Sequence, residues 1–363
     1  MDTPFPFGLP LPTAFYLTIY LSTLMIHIVF MNYVLAGSAY LVSANIFQHQ
    51  LPTKNPIYSI LSDWMPFMLS AAITAGIAPL LFLQILYREQ FYTANLLLFY
   101  RWMAILPVLI LGFYLAYLLK AKFAREWPKW GRVAIAFGVF ACLGFVGWSW
   151  VENHLLSVQS KDVWAEQYAF GSLIYRTPEL IPRLILWFVA AFPTMALVVA
   201  WQIWTQNKDQ HLNGFQPISG SKRLAAIALA GIVVSTISAT IYFAAMSQTA
   251  RETIFGPVAR PYLVLAIIGG AIQTIAWLPQ FRAGITRMWL VVATVGLVVN
   301  FVGMAVVNEA TRLASLDITL LYERHNKSWQ VSGLACFLFF LVLNCGLMTY
   351  CVRLVRRNCS EAS

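Results

Sequence analysis

The side chains able to do chemistry in this chain are few, and most of them sit in or beside long apolar runs. His27 lies in the middle of FYLTIYLSTLMIHIVFMNYVLAGSAYLVSANIF, Phe15 to Phe47, a stretch without one Asp, Glu, Lys or Arg. An imidazole in hydrocarbon costs free energy unless something holds it, so His27 is either a ligand or a hydrogen-bonded packing group. The other four histidines are His154 in GWSWVENHLLS, just beyond an apolar run, His325 in LYERHNKSW, and His49 and His211 in polar connections. A bis-histidine haem b needs two imidazoles at matched depth on facing helices, and only His27 is within an apolar span. A five-coordinate haem on His27, or one with Met or Glu as sixth ligand, stays open.

Charge at the ends of the apolar runs is the second signal. Glu152 follows Trp148 and Trp150, Arg183 begins another run, and Glu309 with Arg312 closes a third. Charges at this depth face a bundle interior and pair with one another. Two readings follow: a single polar constellation serving a quinol head group, haem propionates or protons, or a pair of interfacial salt bridges. Arg101, between Tyr100 and Trp102, reads as a side chain that snorkels to the interface. Trp148 and Trp150 suit an aromatic belt at least as well as a cofactor wall.

The elements that must position these residues are apolar helices. The chain of 363 residues is 60% hydrophobic and 10% charged, with mean hydropathy +0.70, against about 25% charged residues in a soluble domain. That composition predicts an all-α polytopic membrane protein in contact with the lipid bilayer. Nine spans are expected: Phe15–Phe47, Trp64–Tyr87, Asn95–Leu119, Arg132–Val151, Leu180–Trp204, Leu224–Met246, Tyr262–Leu278, Met288–Val307 and Trp329–Val355. Continuous apolar runs exclude a β-barrel, whose strands alternate. Pro66, Pro79, Pro107 and Pro193 fall inside spans and predict kinks. The start, MDTPFPFGLPLPTAF, has no basic n-region, so the first span is expected to be an uncleaved helix. Lys and Arg concentrate in alternate connections, above all Lys120, Lys122, Arg125, Lys129 and Arg132, which predicts N-out and C-in. The net charge of +10 belongs to those connections, and nucleic-acid binding is not expected. Residues 1–363 form one transmembrane helical domain, with 153–182 and 309–328 as longer outer loops. Their apolar content predicts that they fold onto the outer face as a lid or docking surface.

Several chemistries find no support. No C-x-x-C or C-x-x-C-H joins Cys142, Cys336, Cys345, Cys351 or Cys359, so no thiol-redox pair, zinc knuckle or covalent haem attachment is expected. No Walker sequence, H-E-x-x-H or G-x-S-x-G occurs. The pattern of broken half-helices in two matching halves, expected of an inverted-repeat transporter, is missing too.

With the spans laid out, the chain resembles subunit I of the cytochrome bd quinol oxidases. His27, Phe30 and LAGSAYLVSA around Gly37 are similar to that family's haem-ligating first helix. AGIAPLLFLQILY at Ala75–Tyr87 is similar to its second helix, GWSWVENHLLSVQ to its fourth, and VVNEATR at Val306–Arg312 to its Glu-x-Gly-Arg, with Glu309 and Arg312 in the matching positions. Other parts depart from the family. PRLILWFVAAFPTM offers Arg183 and no second histidine, PYLVLAIIGGAIQTIAWLP brings no methionine, Asn95–Leu119 contains no acid, and Ser247 to Pro261 is too short for a quinol-binding loop. The resemblance implies a bd-like scaffold with one haem b or none that does not itself reduce oxygen.

The expected function is therefore a bacterial inner-membrane subunit of an electron-transfer complex, passing electrons between quinol and an extracytoplasmic partner such as a cytochrome. His27 would be the haem-iron or quinone contact, with Trp148 and His154 beside the cofactor. Glu152, Glu309, Arg183 and Arg312 would manage protons and anion pairing at the outer face. The alternatives are a cofactor-free anchor for other membrane or extracytoplasmic subunits, or a transporter.

Overall fold

The computed structural model describes residues 9–47, 55–171, 173–206 and 220–331, with scattered positions between 339 and 353. Within them the backbone forms thirteen helices and no strand. Eight are long and apolar enough to cross a bilayer: α1 (Leu11–Phe47), α2 (Pro56–Leu86), α4 (Phe99–Lys120), α6 (Lys129–Ser157), α8 (Leu180–Gln206), α9 (Ser221–Ala245), α11 (Arg260–Ala283) and α12 (Arg287–Ala314). Short helices join them: α3 (Arg88–Leu97), α5 (Lys122–Arg125), α7 (Lys161–Phe170), α10 (Gln248–Phe255) and α13 (Ile318–Val331). The chain is an all-α, multi-pass membrane protein. Most of the ninth expected span, Trp329–Val355, lies outside the described residues, as do His49 and His211.

Local chemistry sets the breaks. Asn55 caps α2, its side chain accepting from Ile57 N–H at 3.0 Å, and Pro56 occupies the first turn, where its missing N–H costs nothing. Ser160 and Ser247 cap α7 and α10 in the same way. Gly171 ends α7 at φ 57, a left-handed conformation that glycine adopts without strain. Pro66 and Pro79 lie inside α2, Pro107 inside α4 and Pro193 inside α8.

Several boundaries differ from those expected. The second span starts at Pro56, and the third divides at Leu98 into α3 and α4. The fourth and eighth run on to Ser157 and Ala314, so Glu152, His154, Glu309 and Arg312 are helical residues and not loop residues. Of what remains of the two long loops, α7 takes up less than half of the first and α13 most of the second. Hydropathy ends a span at the first charge, but the backbone stays helical where that charge finds a partner on a neighbouring element.

α1 packs on α2, α6 and α8, α4 on α6, α9 on α8, and α11 on α12. The largest apolar cluster runs from Tyr33, Leu41 and Ile57 through Leu61 and Met65 to Met195 and Trp277. A second, around Tyr16, Leu17, Phe82, Leu86 and Phe91, fills the end of the bundle that the charge bias assigns to the outside. The α11–α12 seam brings two backbones into close contact: a Cβ on Gly269 would lie 2.3 Å from Asn300 N, and one on Gly303 would lie 2.5 Å from Ala266 N. Asn300 Nδ2 donates to Ala266 O at 2.8 Å across it.

Candidate functional site

The site is built at the outer end, where α2, α6 and α12 finish and α1, α4 and α8 begin. Arg312, in the last turn of α12, is 7% exposed and makes three side-chain hydrogen bonds. Its Nη1 donates to Glu309 Oε2 and to Tyr20 OH, each at 3.4 Å, and its Nη2 donates to His154 Nδ1. Glu309 is fully buried and also accepts from the Tyr87 hydroxyl. The Arg312 guanidinium lies 4.9 Å over the Tyr87 ring. Four elements thus meet on one cation: α1 through Tyr20, the α2–α3 bend through Tyr87, α6 through His154, and α12 itself.

The other two expected residues are held separately. Glu152, fully buried, accepts from Arg101 Nη1 at 2.7 Å and from the Tyr175 N–H at 2.6 Å. Arg101 does not extend to the interface alone, as its sequence neighbours suggest, because a buried carboxylate on α6 offers it a charge-assisted bond. Its guanidinium also lies 5.7 Å over Trp148, so Trp148 is a wall for that ion pair, with its own Nε1 buried and unbonded. Arg183, 4% exposed, donates to Tyr242 OH at 2.8 Å and to Asn308 Oδ1 at 2.7 Å, and stacks between the rings of Trp187 and Tyr242. Where the sequence left open one constellation of four charges or a pair of salt bridges, the four charges are held in three adjacent groups. Each neighbouring helix supplies its own neutral or charged partner to the nearest charge.

His27 lies deeper and half-buried. Its Nδ1 is 2.9 Å from Ala72 O on α2. A carbonyl only accepts, so Nδ1 carries the proton and the Nε2 lone pair is left uncommitted. Gly76 makes room for the ring, since a Cβ there would lie 2.9 Å from His27 Cε1. Helical periodicity puts His27 on the face of α1 that bears Tyr20, seven residues deeper, and Gly147 on the face of α6 that bears His154, also seven residues deeper. Each step is about 10 Å. A Cβ on Gly147 or Gly144 would meet nothing within 4 Å. Two turns deeper than Tyr20 on α1, then, lies an imidazole with an uncommitted nitrogen, set against Gly76 of α2.

His27 is the residue that would hold a haem iron, through Nε2, because Nδ1–H bonded to a carbonyl is how ligating imidazoles are oriented. Among the described residues no group of three or more His, Cys, Asp or Glu is placed to hold a bare metal ion. Beside Arg312 there is little room. A pocket of about 20 Å³ is bounded by Tyr87, Asn153, His154, Ser157 and Arg312 and walled by Leu83 and Trp150. It admits one or two waters, far from the 300 Å³ or more that a ring-sized ligand needs.

Sequence reasoning missed Tyr20, Tyr87, Asn308 and Tyr242. Tyr20 was within reach of it, lying one heptad before His27 on the same helix face. Tyr87 and Tyr242 carried no local sign, because their roles depend on which helix lies opposite. No protein-family model matches the chain, and no curated protein matches it at a significant level.

Proposed function

We propose that the chain is a haem-bearing membrane subunit of an electron-transfer complex, with His27 as the protein ligand. The observation that carries this reading is the His27–Ala72 bond. It fixes the ring by its Nδ1–H and leaves the Nε2 lone pair without a hydrogen bond among the described residues. A haem b held there would supply one-electron transfer between quinol and an extracytoplasmic partner such as a cytochrome. The protein's own part is to orient the imidazole, exclude water with the apolar faces of α1 and α2, and keep Arg312, His154 and Glu309 as a charged roof. The small outer pocket excludes a quinol ring, so quinol would reach the chain from the bilayer. Tyr168, Phe170 and Leu173, all strongly exposed on and after α7, offer apolar surface to an outer partner. A bacterial inner membrane is the compartment that fits this reading.

A reduced-minus-oxidised absorption spectrum of the purified protein tests it. An α-band is expected in the native chain and its loss in His27→Ala, with the variant still folded by circular dichroism. No band in the native protein, with undisturbed partner binding in His27→Ala, would sink the proposal. That outcome would favour the second reading, a cofactor-free anchor. Its support is that Glu152 and Glu309, the two fully buried carboxylates among the described residues, are both satisfied by protein groups.

A further inference from the structure

The connection from α4 through α5 to α6, at the end of the bundle away from Arg312, carries five cations in thirteen residues: Lys120, Lys122, Arg125, Lys129 and Arg132. They are used in two ways. Both arginines are spent on the protein itself. Arg125 donates to Asp63 on α2. Arg132 donates through Nε to Asn45 Oδ1 on α1 at 3.3 Å, and through Nη1 to the carbonyls of Arg125 and Trp127 at 3.4 and 3.0 Å. The connection is thereby tied to α1 and α2. The lysines do none of this. Lys120, Lys122 and Lys129 are exposed, and none has a carboxylate within 4 Å among the described residues, the exposed Glu126 included.

Aromatic rings stand among these ammonium groups with little protein to cover them. Phe123 is 58% exposed, Trp130 71% and Trp127 38%. Lys129 Nζ lies 5.7 Å over the Trp130 ring, which sets cation and indole side by side. Because α4 ends at Lys120 and α6 begins at Lys129, all three rings sit at or just beyond the ends of two spanning helices, the depth of lipid head groups. Tyr114 and Tyr117 on α4 and Phe137 on α6 are exposed as well, so apolar surface continues from there toward the hydrocarbon.

A charge bias that orients a chain needs cations in the connection, but it needs no exposed rings among them. A soluble acidic partner would answer the lysines and leave the rings unmatched. A leaflet containing anionic lipid answers both, with phosphodiesters for the ammonium groups and an interfacial layer for the rings. We propose that the α4–α6 connection is a binding site for anionic phospholipid. Lys120, Lys122 and Lys129 take the phosphodiester head groups, and Phe123, Trp127 and Trp130 seat among the glycerol esters. Neither His27 nor any cofactor enters the argument, so the site stands or falls apart from the redox proposal.

Native mass spectrometry of the purified full-length protein, titrated in detergent with phosphatidylglycerol or phosphatidylcholine of the same acyl chains, tests it. The first phosphatidylglycerol should bind at least about tenfold tighter than the first phosphatidylcholine, since each lysine beside an anionic head group contributes about fivefold. K120Q/K122Q/K129Q should bring the two lipids within about threefold of each other. K120R/K122R/K129R should keep the preference, as should K161Q/K327Q at the opposite end of the bundle. Equal binding of the two lipids by the native protein, or a preference that survives in K120Q/K122Q/K129Q, overturns the site. Should that variant not fold, the three single Lys→Gln variants decide. Each should weaken phosphatidylglycerol binding about fivefold, and no change in any of them overturns the site. Capture of polyglutamate by the native protein, with no preference between the lipids, would assign the surface to a soluble acidic partner and overturn the lipid site.

Discussion

Glu152 shows how a single buried charge organises its surroundings. It sits in the penultimate turn of α6, fully buried, and takes bonds from a side chain on α4 and from a main-chain N–H beyond α7. Removing one member of such a pair strands the other in low dielectric, which costs more than the pair contributes. Arg101→Met should therefore destabilise the protein by about 3 kcal/mol, read by thermal or denaturant unfolding in detergent. Adding Glu152→Gln should recover part of that loss, since Gln still accepts from Tyr175 N–H without carrying a charge. A single-variant loss under about 1 kcal/mol would mean that the pair behaves as an exposed surface bridge. Glu152, Arg183, Glu309 and Arg312 were legible in the sequence as end-of-span charges. Their partners were not, because Arg101, Asn308, Tyr242 and Tyr87 become partners only when helices far apart in sequence are set side by side.

Between helices, two contacts carry predictions of different kinds. The α11–α12 seam leaves no space at Gly303, where a Cβ would press on the backbone of Ala266 and Tyr262. Gly303→Ala should cost about 2–3 kcal/mol by overpacking, while Gly147→Ala, with open space at its Cβ, should leave unfolding nearly unchanged. Equal effects would contradict the seam. α13 is pinned through His325, whose Nε2–H donates to Leu86 O at 2.9 Å while Nδ1 accepts from Thr13 Oγ1 at 2.8 Å. Burial lowers the pKa of this imidazole, and the bond to Leu86 only partly opposes that. A neutral folded histidine contributes stability that is fully present above its unfolded pKa, about 6.5, and is lost as pH falls toward the lower folded value. Unfolding measured from pH 8 down to pH 5 should show that decline, and His325→Gln should flatten it. An unchanged slope in the variant would assign the decline elsewhere. The positions of eight helices were legible from hydropathy, but their polar ends were not. Hydropathy scores α6 as finished at Glu152, whereas Ser149, Glu152, Asn153 and Ser157 are buried by their neighbours.

Across the whole molecule, polarity is unevenly shared. The larger apolar cluster lies toward the end rich in Lys and Arg, with Arg125 on Asp63 and Arg132 on Asn45 at its rim. The opposite end is closed by ion pairs and by hydroxyl and imidazole bonds. The first helix depends on groups near the other end of the chain for its polar contacts there: Thr13 and His325 are 312 residues apart in sequence, and Tyr20 and Arg312 are 292. At 5–20 residues per second, synthesis would keep those partners apart for about 15–60 s. Throughout that interval the nascent α1 must remain in the membrane with the Thr13 and Tyr20 hydroxyls unanswered or shielded by the insertion machinery, and the outer cap can close only when translation is almost over.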